Sequence, residues 1–127
     1  MSVEDNPEWY RKVVAQAEGN IKVFLVTDPT EYACAILQHE AVDVVIVDGS
    51  NRHDCARFAL QRLKSGGVII LDNADTFPDT ARLLCDAGLI QVDMTGFAPM
   101  NSVPHTTSFF FHRDFNFARK MLDNRPN

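Results

Sequence analysis

Glycine is scarce where it would be most informative. The six glycines stand at positions 19, 49, 66, 67, 88 and 96, and no G-x-G-x-x-G follows any apolar run. That excludes the phosphate-cradling turn of a dinucleotide-binding dehydrogenase. Cysteine is sparse too: Cys34, Cys55 and Cys85 lie far apart, with no C-x-x-C and no histidine at ligand spacing. Structural zinc draws on paired local ligands, so this spacing argues against it. An odd, unframed set of thiols is expected to be reduced, mostly buried and cytoplasmic. Basic charge is neither abundant nor clustered, with 12 Lys and Arg against 17 Asp and Glu and a net charge of -5. Nucleic acid and an anionic membrane are therefore not expected as main partners. No apolar run approaches the roughly 20 residues that cross a bilayer. The opening MSVEDNPEWY is too acidic and polar for a secretory leader.

What is present is an ordinary globular composition, 46% hydrophobic and 23% charged over 127 residues, without a linker or repeat. Residues 1–127 are expected to form a single domain. Short apolar runs alternate with longer amphipathic ones. Ser2–Glu4 reads as the stub of a strand. Asn6-Pro7-Glu8 opens a helix that runs to Ala17, because Asn6 caps, Pro7 suits the first turn and Glu8 favours the positive end of the dipole. Ile21–Thr27 is a strand, and Asp28-Pro29-Thr30 opens a helix over Glu31–His39. Val42–Val47 (VDVVIV) is β-branched and almost continuously apolar, the pattern of a strand covered on both faces of a parallel sheet. A helix is expected from about Arg52 to Lys64, broken by Ser65-Gly66-Gly67, and Val68–Leu71 is the next buried strand. Pro78–Gly88 gives another helix. Leu89–Thr95 and Thr107–His112 read as a closing pair around the loop Gly96–Thr106, and Phe109-Phe110-Phe111 alternates between the faces of a covered strand. The tail from Asn116 is polar or weakly helical.

This alternation means an α/β fold with a mostly parallel sheet. Ligands of such sheets bind beyond the carboxyl ends of the strands. The residues there are Glu4, Asp28, Asp48, Asp72 and Asn73, four of them acids able to accept from ribose hydroxyls or to hold a hard cation. Each also has a plainer reading. Glu4 can be a solvated acid, Asp28 before Pro29 a helix cap, Asp48-Gly49 a turn, Asp72-Asn73 a loop cap, and His53 a solvent-facing residue of a first helical turn. His39, His105 and His112 carry no motif. The loop through Phe97 and Asn101 either covers a substrate or only connects strands.

Val42–Asn73, VDVVIVDGSNRHDCARFALQRLKSGGVIILDN, resembles the centre of class I S-adenosylmethionine-dependent methyltransferases, most specifically in LKSGGVIILDN. VEDNPEWYRKV is similar to the stretch where that family's second strand ends in an acid, and TTSFFFHRD to its antiparallel last strand. The resemblance runs from about residue 2 to 114, with 115–127 as a tail. It implies a Rossmann-like methyltransferase fold, mostly parallel with an antiparallel last strand, N-terminally truncated so that the family's first strand and G-x-G-x-G loop have no counterpart. That strand belongs between the second and fourth, so two sheet edges are left unpaired. Either the chain is a fragment, or the two edges pair directly, or a partner chain or a homo-oligomer covers them.

The resemblance further implies methyl transfer from S-adenosylmethionine to a small-molecule acceptor, at oxygen. Glu4 would bind the ribose, Asp28 would border the adenine, and Asp48 would lie near the methyl group. Asp48, Asp72 and Asn73 are similar to the metal ligands of cation-dependent O-methyltransferases, where Mg2+ would lower the pKa of an acceptor hydroxyl. The lysine base of that group is replaced here by Asn51. Arg52 stays protonated, which leaves His53 as the base. The alternative is a non-catalytic remnant of the fold, an interaction module that no longer binds the cofactor.

Overall fold

The computed structural model describes residues 1–97 and 102–115. Its elements run β1 (Ser2–Glu4), α1 (Pro7–Gln16), β2 (Val23–Leu25), α2 (Pro29–Cys34) with a 3-10 turn at Ala35–Gln38, β3 (Val42–Val47), α3 (Arg52–Ala59), β4 (Leu63–Leu71), α4 (Pro78–Asp86), β5 (Ile90–Phe97) and β6 (Pro104–Phe111). The first two helices start by the same device. Asn6 Oδ1 accepts from the Glu8 and Trp9 amides at 2.8 and 3.2 Å, and Asp28 Oδ1 accepts from those of Thr30 and Glu31 at 3.0 and 2.9 Å. A proline follows each cap and presets the first helical φ.

β3 and β4 are parallel, and β6 runs antiparallel between β4 and β5, giving the order β3-β4-β6-β5. Partners across a ladder share a face. One face carries Val45–Ile69–Phe110 and Val47–Leu71–Ser108. It belongs to the core: Ile69, Leu71, Phe110 and Ser108 are fully buried, packed with Ala56 and Ala59 of α3 and Ala81 and Leu84 of α4. Each large apolar side chain removed from water here contributes on the order of 2 kcal/mol.

The opposite face carries Val44–Val68–Phe111–Ile90 and Ile46–Ile70–Phe109–Val92. Its margins are open, with Ile46 67% and Met94 63% exposed and Val44, Ile90 and Val92 also exposed. The expectation that β3 is covered on both faces is therefore corrected. The reason is topological. β1 and β2 form a separate two-stranded parallel sheet, and among the described residues no strand lies between β1 and β3. The two edges do not pair directly.

A second correction concerns α3. It ends at Ala59 instead of Lys64, because Leu63 already pairs with Val42. Ser65-Gly66-Gly67 is then a bulge within β4, across which the register jumps from Val42↔Leu63 to Val44↔Val68. A Cβ on Gly67 would stand 2.9 Å from the Asp43 carbonyl oxygen, so the close approach of the strands needs glycine there. β5 and β6 are longer than expected and shorten the loop between them, and residues 98–101 of that loop and the tail from 116 lie outside the described residues. The thiols are less buried than expected: all three are free, Cys34 and Cys55 half-buried and Cys85 exposed.

Candidate functional site

The carboxyl ends of β1 and β3 face each other across a cleft of about 900 Å³, lined among others by Glu4, Asp5, Tyr32, Asp48, Ser50 and Arg52. Glu4, the last residue of β1, fixes the turn into α1 by accepting from the Asn6 amide through Oε1 at 2.9 Å. Its Oε2 has no protein partner among the described residues and is free to accept from a ligand hydroxyl. Tyr32 enters from α2. A Cβ on Gly49 would stand 1.9 Å from its hydroxyl oxygen, so the β3–α3 turn admits the phenol only because residue 49 lacks a side chain. Burial, reinforced by Cys55, Asp5 and Glu4, pushes the Tyr32 phenol up to about 12.

Arg52 organises the other side. Its Nε donates to the Gly49 carbonyl at 3.1 Å, Nη2 donates to the Asp48 carbonyl and Oδ1 at 3.2 Å each, and Nη1 donates to the Asp72 carbonyl and to Asn73 Oδ1. The guanidinium also lies 4.8 Å from the centre of the Phe77 ring. One side chain, only 13% exposed, thus joins the ends of β3 and β4. Asp48 is held above the usual carboxylate range by partial burial and by the neighbouring Asp72, against the lowering effect of Arg52.

Asp48, Asp72 and Asn73 do come together, but they surround a guanidinium. Asp72 Oδ1 accepts from Thr107 Oγ1 at 2.7 Å, and Asn73 Oδ1 and Asp48 Oδ1 accept from Arg52. No group of three or more His, Cys, Asp or Glu side chains placed to hold a metal ion occurs among the described residues. The donor set does not fit Mg2+ as it stands, because Arg52 already holds Asp48 Oδ1 and Asn73 Oδ1 and the Thr107 hydroxyl holds Asp72 Oδ1.

Two other expected residues are placed elsewhere. The Asp28 carboxylate is spent on capping α2 and is not among the cleft lining. His53 turns towards α4, its Nδ1 3.3 Å from Thr80 Oγ1, and lines a shallow groove with Phe77 and Pro78. Successive helix residues point about 100° apart, so once Arg52 faces the strand ends His53 cannot. Sequence reasoning overlooked Tyr32 and Arg52. An acid at position 48 four residues before an arginine, across the turn after β3, is the signal that could have found the second.

No family model and no curated protein matches the sequence. Solved structures do. A precorrin-6y C5,15-methyltransferase from Geobacter metallireducens GS-15 superposes with a TM-score of 0.64 at 20% identity over 87% of this chain. A candidate O-methyltransferase from Klebsiella pneumoniae gives 0.63 at 16% identity, also over 87%. The chain carries the class I methyltransferase fold. A third protein of this fold, a candidate methyltransferase from Streptococcus mutans in complex with SAH, matches 86% of the chain and 73% of its own length with a TM-score of 0.53 at 12% identity. The chain spans 65% of the Geobacter protein and 60% of the Klebsiella one. Within the methyltransferase fold, the open cleft falls beyond the carboxyl ends of parallel strands, where such sheets bind ligands. Among the described residues no helix is long and apolar enough to cross a membrane.

Proposed function

We propose that the chain acts as an S-adenosylmethionine-dependent methyltransferase domain, passing the methyl group to an oxygen of a small acceptor. The observation that carries this reading is the convergence of Glu4 and Asp48 on one cleft at the ends of parallel strands, in a fold shared with methyltransferases. The bound cofactor supplies an electrophilic sulfonium methyl. Glu4 Oε2 accepts from the ribose hydroxyls, while Oε1 is anchored on the Asn6 amide and keeps the carboxylate oriented. Asp48, raised above the ordinary carboxylate range by burial and Asp72, takes the proton of the acceptor hydroxyl, a role His53 cannot fill from its place against α4. Arg52 supplies the positive charge that the resemblance assigns to Mg2+. Asp28 acts through helix α2 and not by touching the adenine.

Calorimetric titration of the folded chain with S-adenosylhomocysteine tests the reading. Saturable binding to one site, weakened at least about tenfold by Glu4→Ala and left unchanged by His53→Ala, is the expected result. A folded chain that releases no heat would instead support the rival reading, a fold retained as an interaction module, which the unpaired edges of β1 and β3 favour.

A further inference from the structure

The far edge of the four-stranded sheet is β5, which contains no proline, lysine or arginine and is exposed along its whole length. Its outward backbone groups can be read from the ladders. The Thr106 carbonyl accepts from the Ala74 amide, so Thr106, Ser108 and Phe110 bond towards β4. By alternation His105, Thr107, Phe109 and Phe111 bond towards β5, where their partners are Gly96, Met94, Val92 and Ile90. Gln91, Asp93, Thr95 and Phe97 therefore turn their N–H and C=O groups outward, and these have no partner among the described residues. An outward charge commonly guards such an edge. The one charge here, Asp93, is instead drawn inward, accepting from Ser108 Oγ at 2.6 Å and Gln91 Nε2 at 2.8 Å. The same face of the strand carries a knob and a hole. Phe97 stands 75% exposed, and a groove of about 440 Å³ between β5 and α4 is lined among others by Ala81, Arg82, Cys85, Gln91 and Asp93.

We propose that β5 pairs antiparallel with β5 of a second copy about a twofold axis, with Met94 opposite Met94, Asp93 opposite Thr95 and Gln91 opposite Phe97. The residues fix this register. Outward-turned groups must meet outward-turned groups, so the pairing slips only in steps of two. One such slip sets Asp93 against its own copy, two carboxylates face to face. The opposite slip leaves Gln91 without a partner in β5. In the proposed register the Asp93 carboxylate faces a Thr95 hydroxyl. Phe97 of each copy stands opposite Gln91 and enters the groove beside α4 of the other. On the opposite face the two exposed Met94 side chains meet on the axis, and Val92 packs beside Gly96, where a Cβ would meet nothing within 4 Å. The occupant is a second copy because Gln91 and Phe97 lie equally far from Met94 on either side. A twofold axis requires that spacing and a foreign strand does not. One strand and one ring per copy make an interface smaller than the roughly 800 Å² per partner of a standard complex, so the dimer is a micromolar one.

Sedimentation of the whole chain between about 1 and 500 µM tests this, and a reversible monomer–dimer equilibrium is the expected result. Over the same range, hydrogen exchange at the Gln91, Asp93 and Thr95 amides slows by at least about tenfold. Met94→Lys and Met94→Glu each weaken dimerisation by at least about tenfold, because like charges then meet on the axis, and an equimolar mixture of the two associates again. Phe97→Ser weakens it by at least about tenfold as well, by removing the ring from the groove. The proposal is overturned by a chain that stays monomeric at about 500 µM. It is equally overturned by a dimer whose three β5 amides exchange as freely as in the monomer, which places the contact on another surface such as the open edges of β1 and β3. Folded Met94→Lys and Met94→Glu chains that fail to associate on mixing overturn it too. The exchange readout uses the parent chain, so it decides the question even where a variant unfolds.

Discussion

Arg52, the first residue of α3, folds back over the β3–α3 turn to place its Nη2 3.2 Å from both the carbonyl and the carboxylate of Asp48. The same guanidinium reaches Asp72 and Asn73 at the end of the next strand. A planar fork with five donors is suited to this cage, and an ammonium is not. Arg52→Lys is expected to lower stability by about 1 kcal/mol and Arg52→Met by about 2 kcal/mol, since the second leaves carbonyl and carboxylate oxygens without a partner. Urea unfolding at neutral pH checks both. Equal stability in all three chains would mean that the cage is a surface contact.

Asp48 sets a pH dependence of opposite sign to the usual carboxylate. Its folded-state pKa is raised, by burial first and Asp72 second, so the native state holds the proton more tightly than the unfolded one. Stability contributed by this group is present below its unfolded pKa and declines as pH rises through the raised value. Asp48→Asn should therefore be more stable than the parent at pH 7, by about half a kcal/mol given the screening of a largely exposed carboxylate. The advantage should vanish below about pH 4. Thermal unfolding across pH 3.5–7.5 reads the difference.

Asp93 behaves the other way. It accepts from Ser108 Oγ at 2.6 Å and from Gln91 Nε2 at 2.8 Å, and these bonds hold it below the ordinary carboxylate range. Its contribution is present above the unfolded pKa and is lost as pH falls through the depressed value. Ser108 is fully buried in the core face of β6. Ser108→Ala is expected to cost about 1 kcal/mol at pH 7 and progressively less on acidification, measured by the same pH series.

Gly49 and Tyr32 form a coupled pair. A methyl group on residue 49 collides with the phenol oxygen, so Gly49→Ala should destabilise the chain by about 1–2 kcal/mol as the Tyr32 ring is displaced. Adding Tyr32→Phe removes the colliding atom and should restore most of the loss. A double-mutant cycle with no coupling would contradict the contact.

Much of this architecture was legible in the sequence, for local reasons. Asn6-Pro7 and Asp28-Pro29 state their helix starts, and VDVVIV states its strand. The turns after the strands place Glu4 and Asp48 at carboxyl ends. What was not legible depends on partners distant in sequence. Leu63 and Lys64 continue a helical pattern, and pairing with Val42 is what draws them into β4. The coverage expected for Val44 and Ile46 follows from their apolar character, whereas their exposure follows from the open edge of β3. The cage of Arg52 is largely built of main-chain carbonyls that converge only once β3 and β4 pair, and for this reason a metal reading of Asp48, Asp72 and Asn73 looked natural. His53 shows the same limit: its identity suits a base, and the helical phase set by Arg52 turns it away.

The central claim is that a cofactor binds between the ends of β1 and β3, and a two-dimensional amide NMR titration with S-adenosylhomocysteine tests it most directly. Shifts concentrated at Glu4, Asp5, Tyr32, Gly49 and Ser50 are the predicted result. Shifts confined to the groove around His53 and Pro78, or none in a folded chain, would contradict it.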